Sequence, residues 1–155
     1  MIIRTSESDP VGGIYMNRFE AQLVIRESHL DLFGHINNAT YMQIFEDIRW
    51  DAIVSRGFDV KQIQRSKTGP IILECTIKFL KEVTAREVVT VTVESLFDEN
   101  GQHAKVFKLK QAMLRINGEV ACEAIFTYGL FDLTTRRLIE PTPEWRKAIG
   151  LDSEK

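Results

Sequence analysis

Residues 37–57 read NNATYMQIFEDIRWDAIVSRG, and this stretch decides how the rest of the chain can fold. Apolar side chains recur there at the spacing of one face of an α-helix, at Tyr41, Ile44, Phe45, Ile48 and Ala52. Further apolar surface lies elsewhere on the circumference, at Met42, Trp50 and Ile53. Asn37 and Asn38 are both suitable N-caps, and Gly57 is a suitable C-terminal stop. The pattern therefore predicts one long helix that is surrounded by other structure.

The segments on either side of this helix follow the period of two that is typical of half-buried strands. Residues 18–26 form one such run before the helix, and four more follow it, at 73–79, 89–94, 107–113 and 120–128. Asn100-Gly101 and Asn117-Gly118 separate the last three runs, and Asn-Gly favours a tight hairpin. We therefore expect an α+β fold in which an antiparallel five-stranded sheet wraps round a central helix. A short C-terminal helix is expected over 143–149.

The composition is that of one ordinary globular domain. The chain has 155 residues, 44% of them hydrophobic and 27% charged, and its formal net charge is -2. Without a basic stripe, nucleic acid is an unfavourable partner. No apolar run approaches the roughly 20 residues that cross a bilayer, so no membrane span is expected. Cys75 and Cys122 lie in strand-like runs and predict two small buried thiols in a reducing cytoplasm.

The chain shows no repeat and no second domain. Residues 1–13 are crowded with Ser, Asp, Pro and Gly and predict a flexible arm. Residues 14–150 then form a single domain, and residues 151–155 form a C-terminal tail.

The densest polar cluster, HLDLFGHINN at residues 29–38, lies between the first strand and the helix. A helix N-terminus presents unpaired N–H groups and a partial positive charge, which can stabilise a developing oxyanion. A carboxylate a few residues upstream, Asp31, is placed to act as nucleophile or general base. Gly34 gives the backbone freedom that lets a substrate approach it. Together these parts suit acyl transfer to water.

Two parts of the chain resemble a known family. Residues 31–41, DLFGHINNATY, resemble the D-x-x-G-H-V-N-N-x-x-Y signature of the 4-hydroxybenzoyl-CoA thioesterase-like hotdog family, with Ile36 where Val is usual. Residues 77–81, IKFLK, resemble its Y-L-x-P region, with Phe79 in the aromatic place and no Pro. The resemblance extends over roughly residues 20–133.

The resemblance implies a hotdog-fold hydrolase that cleaves an acyl-CoA or acyl-carrier-protein thioester without a metal or cofactor and assembles as a homodimer or homotetramer. It implies Asp31 as the catalytic carboxylate, Asn38 as the residue whose backbone N–H polarises the carbonyl, and His35 as a group that holds substrate or water. Gly34, Asn37 and Tyr41 are the implied substrate-binding residues. Related plant thioesterases carry Asn two positions after the Asp, where this chain has Phe33, so more of the chemistry falls on Asp31.

Simpler roles compete with these assignments. Aspartate is common in turns, so Asp31 could serve only to close one, and His35 could be an ordinary loop residue. Asn37 and Asn38 could act only as helix caps. Tyr41 lies on the apolar stripe and fits the core. A metal site at His29, Asp31 and His35 lacks a clear fourth ligand. A dehydratase or hydratase on the same fold, and a non-catalytic acyl-thioester binder, remain alternative functions.

Overall fold

The computed structural model describes residues 18–96 and 105–151, together with the backbone of residues 2–4. Its helices and strands, in chain order, are β1 (Ile2–Arg4), β2 (Phe19–Val24), α1 (Asn38–Ser55), α2 (Val60–Ser66), β3 (Thr68–Phe79), β4 (Val88–Leu96), β5 (Val106–Arg115), β6 (Val120–Asp132), β7 (Arg137–Ile139) and α3 (Pro143–Ala148).

The described strands form one antiparallel sheet in the order β1-β2-β4-β5-β6-β3, with β7 also paired to β6. Its five long strands are the five predicted ones, although β3 begins at Thr68 rather than at residue 73. β1 and β7 were not predicted, because three residues are too few to show a period. β1 lies within the segment expected to be a flexible arm, and most of that segment lies outside the described residues. The domain boundaries stay predictions.

α1 packs its predicted apolar stripe against the sheet. The five side chains of that stripe are between 0% and 6% exposed. Ile53 is also buried, whereas Met42 remains 37% exposed and Trp50 is half-buried. Phe45, at the middle of the stripe, meets Phe126 of β6 edge to face, with ring centroids 6.4 Å apart. The predicted α+β arrangement of a sheet around one central helix is thus confirmed.

The turns follow the predicted turn chemistry where the structure describes them. Gly57, just beyond α1, has φ +91°. Gly118 has φ +82° in the β5–β6 hairpin, while the Asn117 side-chain oxygen accepts the Glu119 backbone N–H at 3.0 Å. Asn-Gly therefore works here through a glycine in the left-handed region and an asparagine side chain that closes the turn. The Asn100-Gly101 hairpin lies outside the described residues.

Two short helices complete the domain. α3 matches the helix predicted over 143–149, and its Trp145 is fully buried between Phe58 and Tyr128, with ring centroids 5.0 and 6.2 Å away. α2 was not predicted, because none of its residues is fully buried and so no apolar stripe marks it. Its N-cap Asp59 accepts the Gln62 N–H at 2.8 Å.

We predict that Phe45→Ala lowers the free energy of unfolding by about 3–5 kcal/mol, because a large void is left between α1 and β6. Gln43→Ala, at an exposed position of the same helix, is the matched control and should change it by less than about 0.5 kcal/mol. Urea titration followed by circular dichroism measures both. Equal, small losses would contradict the packing of α1 on the sheet.

Candidate active site

A tight, closed loop carries the predicted carboxylate. The Asp31 N–H donates to the His35 carbonyl at 2.9 Å, and the Gly34 N–H donates to the Asp31 carbonyl at 3.2 Å. Gly34 has φ +84°, a conformation that L side chains rarely adopt, so the glycine is needed for the turn itself. Leu30 and Ile36 pair across the base of the loop.

Asp31 uses one carboxylate oxygen to hold this loop. Its Oδ1 accepts the backbone N–H of Phe33 at 2.8 Å and that of His35 at 3.3 Å. Its Oδ2 accepts no hydrogen bond from a described residue, and the side chain is half-buried. Asp31 is therefore both the turn residue of the simpler interpretation and a carboxylate with one oxygen available.

The loop is fixed to the rest of the fold by backbone hydrogen bonds. The Ile36 N–H donates to the Val83 carbonyl at 3.0 Å, and the Asn37 N–H donates to the His29 carbonyl at 2.9 Å. Ile36 is 5% exposed and belongs to the core. The start of α1 and the loop therefore hold a fixed position relative to each other.

The first turn of α1 leaves one donor unused. The Asn37 side chain caps the Ala39 N–H at 2.9 Å, and the Asn37 carbonyl accepts the Thr40 N–H at 2.9 Å. The Asn38 N–H has no acceptor among the described residues. This N–H is therefore an unpaired donor, and it lies at a helix N-terminus, where the partial positive charge of the helix is found.

His35 has a partner that the sequence did not reveal. Its Nε2 lies 3.2 Å from Glu82 Oε2, and Glu82 belongs to the segment after β3. Glu82 stands where the resembled family has Pro, and this departure was the one available signal. His29 is turned elsewhere, because its Nδ1 accepts the Arg26 backbone N–H at 3.1 Å.

A chain of ion pairs holds the segment that carries Glu82. Lys81 pairs with Glu119 at 3.3 Å, and the same carboxylate pairs with Arg115 at 3.3 Å. Arg115 also bonds Glu87 at 3.0 Å, and Glu87 accepts the N–H of Thr84 at 2.8 Å. The β5–β6 hairpin is thereby tied to the wall of the site.

These groups meet at an open pocket with a volume of about 290 Å³, lined by Asp31, His35, Ile36, Asn38, Tyr41, Phe79, Leu80, Lys81 and Glu82. Of the predicted site residues, the structure brings four together here. Gly34 and Asn37 do not line the pocket; Gly34 shapes the turn before α1, and the Asn37 side chain caps that helix.

Tyr41 is both a core residue and part of the pocket wall. It is 4% exposed and packs against Phe79, with ring centroids 5.4 Å apart. Burial raises the pKa of Tyr41 to about 12, so its hydroxyl stays protonated. Its contribution to the site is therefore shape and a neutral hydroxyl group.

The cysteines are unsuited to attack. Burial raises the pKa of Cys122 to about 12 and also raises the pKa of Cys75, so both remain thiols rather than thiolates.

Within the part of the chain that the structure describes, no group of three or more His, Cys, Asp or Glu side chains is placed to hold a metal ion.

Comparison with known proteins gives one family. The sequence model described as the thioesterase-like superfamily matches residues 25–149. The chain is 23% identical over 132 residues to the long-chain acyl-CoA thioesterase FadM of Escherichia coli, covering 84% of this chain and 96% of that protein. It is 33% identical over 148 residues to the chloroplastic acyl-acyl carrier protein thioesterase ATL3 of Arabidopsis thaliana. That alignment covers 94% of this chain but 65% of the plant protein, slightly under two thirds of its length.

The fold also has solved counterparts. The structure of a hypothetical protein, SAV2348 of Staphylococcus aureus in complex with CoA, superposes with a TM-score of 0.78 at 20% identity. It covers 90% of this chain and 86% of that one. Among the described helices, none is long and apolar enough to cross a membrane.

We predict that Asn37→Ala destabilises the protein by about 1 kcal/mol, because the Ala39 N–H loses its cap. Asn38→Ala is the matched control, since its exposed side chain makes no hydrogen bond with a described residue, and Asn37→Ser should retain most of the stability. Thermal unfolding measures all three. A larger loss in the Asn38 variant than in the Asn37 variant would contradict the assignment of the cap.

Proposed function

The chain belongs to the thioesterase-like superfamily, and from that premise we propose that it hydrolyses an acyl-CoA or acyl-carrier-protein thioester through Asp31 and the start of α1. The prediction of a thioester hydrolase is confirmed at the level of the family. The assignment of residues rests on one observation: two groups without a hydrogen-bond partner among the described residues, one acceptor and one donor, belong to residues that line the same pocket. These are Asp31 Oδ2 and the Asn38 N–H.

The thioester carbonyl would lie over the start of α1, with its oxygen facing the Asn38 N–H. Hydrolysis moves negative charge onto that oxygen, and a donor that is already in place stabilises the charge without reorganisation. The partial positive charge at the helix N-terminus acts in the same direction. Since the backbone N–H performs this role, the Asn38 side chain is free to vary.

Asp31 then acts in one of two ways that the proposal leaves open. Its free oxygen attacks the carbonyl carbon, or it takes a proton from an attacking water. The two hydrogen bonds on Oδ1 hold the carboxylate plane while Oδ2 reacts. If Oδ2 attacks, the thiolate leaves a mixed anhydride on Asp31, which water then hydrolyses to the free acid. If water attacks, the free acid forms directly as the thiolate leaves, and the proton held by Asp31 passes to the thiolate or to solvent.

His35 is assigned to substrate or water, with its ring held by Glu82. A carboxylate on one ring nitrogen fixes the orientation of the imidazole. Phe33, at the position where related plant enzymes have Asn, is 84% exposed and offers no polar group. The polar chemistry of the loop therefore falls on Asp31 and His35.

The relatives named above act on both kinds of thioester, since one is named for acyl-CoA and the other for acyl-carrier protein. Lys81 is the lysine among the residues that line the pocket, which makes it the favoured contact for a CoA or phosphopantetheine phosphate. Lys78 lies on β3, outside the residues that line the pocket. Lys61 and Arg65 lie on α2, outside the pocket lining.

The predicted self-association is assigned to β3. This strand lies at the end of the sheet, and within the described residues only β6 pairs with it. Its apolar side chains are unusually exposed for a long strand, at Ile72, Leu73 and Phe79, with Leu80 just beyond. A long, apolar edge strand is a template for pairing with a second copy of the chain. We therefore propose a homodimer, or a tetramer of such dimers, formed along β3.

We predict that Asp31→Asn lowers the rate of thiol release from acyl-CoA by about 100-fold or more, because the amide can neither attack nor accept the proton. Asp47→Asn, at an exposed position of α1, is the matched control and should retain full activity. Release is measured across a panel of acyl-CoAs of increasing chain length.

Equal release by the Asp31 variant and the wild type would keep the thioesterase and discard this carboxylate. No release from any acyl-CoA, with tight binding of a non-hydrolysable analogue, would favour a carrier-protein substrate or the non-catalytic binder.

We predict that Leu73→Lys on β3 shifts the protein from the mass of a dimer or tetramer towards the mass of a monomer. A charged side chain on an edge strand opposes pairing between copies. Leu133→Lys is the control, since Leu133 is similarly exposed but lies outside β3. Light scattering after size exclusion measures the mass, and a monomeric wild-type protein would contradict the proposed assembly.

A further inference from the structure

A second cavity lies beside the other half of α1. It has a volume of about 80 Å³, is partly open to solvent, and is lined by the C-terminal half of the helix, the inner face of the sheet and α3. Apolar side chains form most of its wall, among them Trp50, Ile53, Val93, Leu109 and Trp145. It shares no lining residue with the candidate active site. Arg49, on its wall, lies about 16 Å along the helix axis from Asn38, at a rise of about 1.5 Å per residue.

Arg49 is held rigidly in this wall. Its Nη1 donates to Gln111 Oε1 at 2.8 Å, and Gln111 is fully buried and itself donates to the Phe45 carbonyl at 2.9 Å. The guanidinium carbon lies 4.5 Å from the centre of the Phe126 ring, within range of a cation–π contact. The charged group therefore cannot turn away into solvent without breaking both contacts.

Arg49 has no carboxylate of the described residues in direct contact with it. Glu46, three residues earlier on the same helix, also lines the cavity; it is exposed, and its charge acts on Arg49 without a direct ion pair. Burial lowers the pKa of Arg49, and a partly buried cation without a carboxylate is unfavourable unless another group compensates it.

Arg49 itself keeps donors that are available to a ligand. The other N–H groups of Arg49 make no hydrogen bond to a described residue and are not sealed from solvent. Arg56 lines the same cavity, and its Nη1 donates to the Ala148 carbonyl at 3.2 Å. On the opposite wall, the indole N–H of Trp145 is buried without an acceptor among the described residues. The cavity thus combines mostly apolar walls with the cation of Arg49, whose remaining donors are open to a ligand.

We propose that this cavity binds a carboxylate attached to an apolar body. The part of the apolar body next to the carboxylate would lie between Trp50, Ile53 and Leu109, with the rest at the open side of the cavity, and the carboxylate would accept hydrogen bonds from Arg49. A guanidinium and a carboxylate form the charge-assisted pair that the described residues do not complete. The carboxylate belongs either to a free organic acid or to the far end of an acyl chain whose thioester lies at Asp31.

The chain provides its own reporter for this site. It has two tryptophans, Trp50 and Trp145, and both line the cavity. Octanoate is the probe, titrated into the full-length wild-type protein; it carries no thioester, so binding is measured without turnover. We expect a saturable change in tryptophan fluorescence with octanoate and binding weaker by about 10-fold or more for octanol, which lacks the charge.

Arg49→Gln should weaken octanoate binding by about 10-fold or more, whereas Arg65→Gln, at an exposed position of α2, should leave it unchanged. Arg49→Lys retains the charge and should keep part of the affinity, which separates loss of the pair from loss of the fold. Ile53→Trp fills the cavity and should abolish binding of both probes. Equal responses to octanoate and octanol, or an Arg49→Gln protein that is folded and binds normally, would overturn the proposal.

Turnover by the wild type separates the two sources of the carboxylate. If Arg49→Gln slows thiol release from dodecanedioyl-CoA but not from dodecanoyl-CoA, the carboxylate is the end of the acyl chain. If octanoate binds and neither rate changes, the ligand is a free acid. A protein that releases no thiol from either thioester refutes the proposed hydrolysis but leaves the fluorescence result, and this site, standing.

Discussion

The packing of α1 across one face of the sheet is the constraint on which the rest of the structure depends. One helix supplies most of the apolar surface that covers the inner face, with Phe45 and Ile48 at its centre. Because α1 is fixed along its length, its first turn is fixed as well. The unused Asn38 N–H therefore occupies a defined place, which is the condition for a preorganised oxyanion site.

The loop before α1 shows how a structural role and a chemical role share one residue. Asp31 closes the turn with Oδ1, which is what an aspartate in a loop commonly does. The same bonds immobilise the carboxylate and leave Oδ2 free. A carboxylate held in this way loses little conformational entropy when a substrate binds, so the turn favours the chemistry we propose for it.

Polar contacts link α1 and its surroundings to the sheet at two places. Near the first turn of α1, ion pairs between the β5–β6 hairpin and the segment after β3 support Lys81 and Glu82. Farther along the helix, Gln111 and Arg49 form a hydrogen-bonded pair that links α1 to β5. Gln111 is fully buried and pairs both its amide oxygen and its amide nitrogen, whereas Arg49 is only partly buried and keeps donors free of protein acceptors. That imbalance is the reason to treat the second cavity as a binding site.

The sequence by itself determined the central helix, the five long strands and the loop with Asp31, Gly34 and His35, because each has a local signal. Periodicity marks helices and strands, and side-chain capping and glycine mark turns. The resemblance at residues 31–41 added the family and the roles expected of Asp31 and Asn38. Short elements without a period, namely β1, β7 and α2, left no such signal.

Only the tertiary structure decided which distant residues meet. Glu82 reaches His35, and Gln111 reaches Arg49, across long stretches of chain, and no local pattern in the sequence specifies such a pair. The sequence also could not show that Asp31 has one carboxylate oxygen bound and the other free. Nor could it show that Gly34 and Asn37 lie outside the pocket wall. Sequence patterns record what each segment requires of its own backbone and its buried face, whereas contacts between segments depend on how the sheet and α1 come together in space.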